Sequence, residues 1–138
     1  MATFLDSNIL IALVNRLEFH HRWCHKEVQR CLAHNPPAVV SDIVFCEASV
    51  GMKTLQDMHD LIRQWGFERL RMTDEALFLP GRAFKTYREK NKGEKTGVLP
   101  DFFVGAFASA EKEDLMSIDV RKYKTYFPEV TLVTPPKS

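Results

Sequence analysis

Long apolar runs are missing from this sequence. No stretch approaches the roughly 18 residues that a membrane-spanning helix needs, so no membrane association is expected. The opening residues Met1 to Asp6 carry no basic region, and Asp6 interrupts the apolar stretch at once, so no secretory signal is expected. Cysteine is scarce. Cys24, Cys31 and Cys46 are odd in number and form no Cys-x-x-Cys pair, which excludes a disulfide scaffold and points to reduced thiols in the cytoplasm. A surplus of charge is missing as well. The 19 basic and 18 acidic side chains leave a net +1, so any nucleic-acid site has to come from uneven placement. Gly-x-Gly-x-x-Gly is absent, which disfavours a dinucleotide site. Gly93-Glu94-Lys95-Thr96-Gly97 lacks the spacing of a phosphate loop, and no nucleophile-elbow pattern accompanies the Ser, His and Asp residues.

What remains is an ordinary globular composition. Hydrophobic residues make up 45% and charged residues 27% of 138 residues. That is one domain over residues 1–138, large enough to fold on its own core. Short apolar runs alternate with helix-like spacing. Thr3 to Leu5 reads as a buried strand, and Asp6-Ser7-Asn8 caps a helix through Val14. A second helix spans Phe19 to His34, stopped by Asn35-Pro36-Pro37. Ala38 to Val40 is the next strand, with Ser41-Asp42 capping a helix from Ile43. A helix over Leu55 to Trp65 ends at Gly66. Phe67 to Met72 is a weaker strand, and a helix runs from Glu75 to Lys90. Asn91 to Pro100 reads as a polar loop. Phe102 to Lys112 is helical, and the strands Leu115 to Ile118 and Val130 to Val133 close the pattern. Alternation of this kind predicts an α/β fold with a parallel sheet of about five strands and helices on both faces.

Four acids stand in places that charge does not favour. Asp6 and Asp119 each follow a predicted strand, where open parallel sheets bind ligands. Should those strands be neighbours, the two carboxylates share a crevice; taken singly, each reads equally well as a cap or turn residue. Glu47 lies in Ile43-Val44-Phe45-Cys46-Glu47-Ala48-Ser49-Val50, which is apolar on nearly every side. A buried carboxylate there needs a cation or a proton. Asp101 reads as the N-cap of an apolar helix. Gathered together, such groups call for a hard divalent ion, Mg²⁺ or Mn²⁺, which takes oxygen ligands and leaves room for a phosphate oxygen.

These residues also resemble a known family. Asp6-Ser7-Asn8-Ile9-Leu10, Phe45-Cys46-Glu47-Ala48-Ser49-Val50-Gly51, Leu99-Pro100-Asp101-Phe102-Phe103-Val104-Gly105-Ala106 and Ser117-Ile118-Asp119, with Tyr123, Tyr126-Phe127-Pro128 and Val133-Thr134-Pro135, are similar to the PIN domain. More narrowly, they resemble the VapC-type ribonuclease toxins of toxin–antitoxin pairs. The resemblance implies a three-layer α/β/α fold and a Mg²⁺-dependent endoribonuclease that leaves 5′-phosphate and 3′-hydroxyl ends. It implies Asp6, Asp101 and Asp119 as metal ligands and Glu47 as the further acid of the catalytic set. Ser7 and Asn8 match the polar pair that orients the first Asp, and Ser117 retains a hydroxyl where the family often has Thr. A homodimer and an inhibiting antitoxin protein are implied as partners. Two positions depart: Ile118 stands where close relatives often have Arg, and Phe107 where they often have His.

An RNA substrate also has to be held. Arg82, Lys85 and Arg88 recur every three residues and share a helix face, with Phe84 and Tyr87 between them and Lys90, Lys92 and Lys95 beyond. Arg121, Lys122 and Lys124 form a second basic group just past Asp119. The cluster His20, His21, Cys24 and His25 has spacings that can bind zinc, but it lacks a catalytic Glu and a second Cys pair, so a packing role is expected. Two alternatives stay open. One is a catalytically weak PIN-like module that binds RNA or protein. The other is a metal-dependent phosphatase or DNA nuclease.

Overall fold

A computed structural model of the chain describes residues 2–34, 36–91 and 99–137. Strand β1 (Thr3–Leu5) is followed by helices α1 (Ser7–Val14) and α2 (His21–His34). Strand β2 (Ala38–Ser41) leads to α3 (Asp42–Ser49) and α4 (Leu55–Trp65), and β3 (Glu68–Leu70) leads to α5 (Asp74–Asn91) and α6 (Leu99–Glu111). Then come β4 (Asp114–Met116), α7 (Arg121–Tyr126) and β5 (Leu132–Val133). The five strands form one parallel sheet in the order β3-β2-β1-β4-β5. The fold is the α/β/α arrangement expected from the sequence.

β1 sits in the middle because every residue of it can be buried. Thr3 to Leu5 and Ala38 to Ser41 are buried throughout, as strands covered on both faces must be. Phe4 pairs with Val39 on one side and Leu115 on the other. From β1 the chain steps outward to β2 and β3, then returns over the sheet to β4 and β5. Right-handed crossovers therefore put the β1–β2 and β2–β3 connections on one face and the β3–β4 connection on the other. The reversal of direction lies between β1 and β4, and a crevice opens at their carboxyl ends. α4 shows how local sequence fixes an element. Thr54 and Asp57 form a reciprocal capping box, and Gly66 ends the helix at φ 73°, a left-handed conformation that glycine adopts without strain.

Several boundaries differ from the sequence reading. α6 begins at Leu99, so Asp101 lies in the first helical turn rather than at the cap. Pro100 suits that turn, since the N–H it lacks would find no partner there. β4 ends at Met116 because the Ile118 N–H is diverted to Asn8 Oδ1 at 3.1 Å. α7 was not expected at all. Of the expected loop, Asn91 belongs to α5 and Leu99-Pro100 belong to α6, whereas residues 92–98 lie outside the described residues. α6 rests directly on the residue after α7: a Cβ at Gly105 would stand 2.4 Å from Phe127 Cδ2. This close approach holds Asp101 and α7 in one fixed relation. Among the described residues no helix is long and apolar enough to cross a membrane.

Candidate active site

Asp6 is the centre of the crevice. It leaves β1 with its N–H bonded to Met116 O on β4 at 2.9 Å, and it caps α1. Its carboxylate is only 4% exposed and is held on three sides. Oδ1 accepts the Ser7 N–H at 2.7 Å. Oδ2 accepts the Ser117 hydroxyl at 2.7 Å and the Tyr123 hydroxyl at 2.8 Å. Burial pushes the Asp6 carboxyl above the usual range, against the pull of these donors. Ser117, fully buried, also receives Asn8 Nδ2 at 3.1 Å. Ser7, Asn8 and Ser117 thus hold Asp6 and the turn after β4 through hydrogen bonds.

Glu47 and Asp101 face Asp6 from α3 and α6. Burial raises the Glu47 carboxyl to about 7, and the neighbouring charges of Asp6 and Asp101 add to the rise. Glu47 Oε1 is buried and has no hydrogen-bond partner. Asp101 is raised by burial and then by Asp6, while Lys122 acts in the opposite direction. Lys122 Nζ stands 3.8 Å from Asp101 Oδ2. Three acids from β1, α3 and α6 therefore repel one another across a small space, with one ammonium group at its rim.

Asp119 occupies the outer edge. It is exposed and clasped by its neighbour: Arg121 Nε and one terminal nitrogen reach its two oxygens at 3.2 and 3.1 Å. The Arg121 guanidinium holds the Asp119 carboxyl below the usual range. Asp6, Ser7, Asn8, Asp101, Asp119, Arg121, Lys122 and Tyr123 line one cavity of about 450 Å³. The strands carrying Asp6 and Asp119 are indeed neighbours, and the four acids converge on one end of the sheet.

The residues present suit a hard cation by their chemistry. An unpaired buried carboxylate oxygen, Asp6 raised by burial, Asp101 raised by burial and by Asp6, and an oxygen-rich lining are what Mg²⁺ or Mn²⁺ needs. Among the described residues, no three acids, histidines or cysteines stand close enough to hold one together. Asp119 is turned to Arg121.

Tyr123 is the residue that sequence reasoning undervalued. It appears in the sequence only as an aromatic of the family pattern, yet its hydroxyl reaches Asp6 across 117 positions of chain. The only hint is its place four residues after Asp119 in a basic segment. The two departures, Ile118 and Phe107, both pack against the core. Phe107 is core, edge-on to Phe4 with ring centroids 5.1 Å apart, and Ile118 is half-buried against the core.

The two basic groups fare differently. Arg121 and Lys122 line the acid cavity itself. Arg82 and Lys85 are exposed on α5 but do not line it, and the Arg88 side chain, like Phe84, Tyr87, Lys90, Lys92 and Lys95, lies outside the described residues. The histidine cluster packs, as expected. His21 Nδ1 meets Ala12 O at 2.6 Å, His25 sits edge-on to Trp65, and Cys24 is buried with its thiol pushed up to about 12. A larger cleft of about 780 Å³ lies beside β3. Its charges largely satisfy one another, since Asp42 accepts Arg69, Arg71 and the Met72 N–H, so it offers no comparable reactive set.

No protein-family model matches the chain, and no curated protein matches it in sequence. Its fold, however, is that of solved structures. The chain is 18% identical to a chain of VapBC2 from Rickettsia felis bound to a DNA fragment from their promoter, covering 99% of this chain and 100% of that one, with a TM-score of 0.73. It is 20% identical to a chain of a toxin–antitoxin complex from Klebsiella pneumoniae, covering 99% of each, with a TM-score of 0.64. With VapBC-1 from nontypeable Haemophilus influenzae the identity is 17%, the coverage 97% and 98%, and the TM-score 0.67. At these identities the likeness establishes a shared fold over nearly the whole chain.

Proposed function

We propose that the protein is a metal-dependent endoribonuclease of the VapC-type PIN class, a toxin neutralised by a cognate antitoxin protein. The observation that carries this reading is the convergence of Asp6, Glu47 and Asp101 at the crevice between β1 and β4, with Glu47 Oε1 buried and unpartnered. Its fold likeness to chains of toxin–antitoxin complexes supports the same reading.

In this reading Asp6, Asp101 and Asp119 hold Mg²⁺, with Mn²⁺ as a substitute. The ion supplies Lewis-acid polarisation of a phosphate and a lowered pKa for water. The chain's own residues do the rest. Glu47, with a carboxyl near 7, accepts a proton from the attacking water; a base matched to neutral pH does this best. Ser7, Ser117 and Tyr123 donate to Asp6, which favours its ionised form against the effect of burial and fixes its direction. Arg121 and Lys122 attract the RNA backbone to the cavity mouth. A homodimer and a cytoplasmic setting belong to the same proposal.

The test is incubation of purified protein with a panel of RNAs in Mg²⁺, Mn²⁺ or EDTA. Cleavage with either ion, absent in EDTA and absent in Asp6→Asn, is the expected result. A second reading, a catalytically weak RNA- or protein-binding module, is favoured by one feature: Asp119 is already engaged by Arg121. Metal-independent RNA binding without cleavage would select it. Cleavage of DNA or of phosphate monoesters instead of RNA would shift the substrate class.

A further inference from the structure

The lone pairs of Asp6 can be counted. An ionised carboxylate offers about four acceptor positions, two on each oxygen. On Oδ2 both are taken, by Ser117 Oγ at 2.7 Å and by Tyr123 OH at 2.8 Å. On Oδ1 one is taken by the Ser7 N–H at 2.7 Å. Oδ1 is therefore the less occupied oxygen, although the Ser117 hydroxyl also stands 3.0 Å from Asp119 O. Ser117 and Tyr123 are both buried, so water does not readily replace them. Tyr123 and Asp101 line the same cavity as Asp6.

We propose that Tyr123 is a specificity-determining positioning residue: by saturating Asp6 Oδ2 it restricts Asp6 to one-oxygen ligation and so favours small octahedral cations over Ca²⁺. The inference rests on the metal-nuclease reading above. Mg²⁺ and Mn²⁺ are met by single carboxylate oxygens in near-octahedral arrangement, whereas Ca²⁺ readily takes carboxylates through both oxygens and tolerates irregular shells. Removing the phenol hydroxyl frees one position on Oδ2. Asp6 can then turn to present both oxygens.

The test is calorimetric titration of metal-stripped protein with Mn²⁺ and with Ca²⁺, in wild type and Tyr123→Phe. Phenylalanine keeps the buried ring, so the fold is expected to survive. Wild type should bind Mn²⁺ more tightly than Ca²⁺. In Tyr123→Phe that ratio should fall by about tenfold or more, the scale on which groups behind metal ligands act. Ser117→Ala, which opens the other Oδ2 position, should move the ratio in the same direction and gives a second test. A ratio unchanged in both variants overturns the role of Tyr123 while leaving the nuclease reading intact. Failure of wild type to bind either ion overturns both. A role confined to packing would lower both affinities alike and leave the ratio where it was.

Discussion

Replacing Glu47 by Gln should make the metal-free protein more stable. Burial and the charges of Asp6 and Asp101 raise this carboxyl from an ordinary 4.5 to about 7. The folded state therefore holds its proton more tightly than the unfolded state does. Below pH 4.5 both states are protonated and the group costs nothing. As pH rises from 4.5 to 7 the unfolded chain ionises first, and the folded state is progressively penalised; above 7 the penalty is complete. At about 1.36 kcal/mol per pH unit the ceiling is roughly 3 kcal/mol. The side chain is only half-buried, and screening by solvent lowers this to about 1–2 kcal/mol. Gln mimics the protonated acid, so Glu47→Gln should gain about 1–2 kcal/mol at pH 8, or roughly 3–6 °C in Tm for a domain of this size, and nothing at pH 4. The assay is urea or thermal unfolding in EDTA across that pH range. Adding Mg²⁺ should stabilise both proteins by mass action, since Asp6, Asp101 and Asp119 are intact in each, and should narrow the gap between them as the ion offsets the repulsion among the acids. A Glu47→Gln protein no more stable at pH 8, or one with the same gain at pH 4, would refute the claim that repulsion among the acids is stored in the fold.

Much of this site was legible because its acids are where physics makes acids expensive. Glu47 stands out in any apolar helix, and Asp6 and Asp119 follow strands. Once β1 and β4 pair, Leu5 opposite Met116, their meeting follows from topology alone. α4 matched its expected limits because Thr54, Asp57 and Gly66 mark both ends chemically. α7 was hidden for the converse reason. Val120 makes no side-chain cap, and Arg-Lys-Tyr-Lys-Thr-Tyr shows no apolar stripe; its one buried residue, Tyr123, is fixed by Asp6, a pairing that local patterning does not carry. Asp101 was read as a cap because it has ideal capping chemistry, whereas it lies inside α6. The clasp of Arg121 on Asp119 is likewise a rotamer choice that spacing suggests but does not specify.

Three further outcomes are expected from the same geometry. Asp101→Asn should retain the fold by circular dichroism yet lose at least about 100-fold in RNA cleavage, since ligands and bases at such sites carry several kcal/mol of transition-state stabilisation; full activity would remove Asp101 from the reaction. Gly105→Ala should destabilise the protein by about 1–3 kcal/mol in urea unfolding, because the added methyl meets the buried Phe127 ring at 2.4 Å; an unchanged midpoint would mean that α6 and Phe127 separate freely. Arg121→Ala with Lys122→Ala should weaken RNA binding and flatten its salt dependence by roughly one unit of slope for each phosphate no longer neutralised. The two roles of these cations pull in opposite directions, however, since each also neutralises an acid of the site. At low RNA concentration the double variant should therefore cleave more slowly, while its affinity for Mn²⁺ in the absence of RNA should rise; a fall in both would show that Arg121 and Lys122 support the acids rather than compete for them.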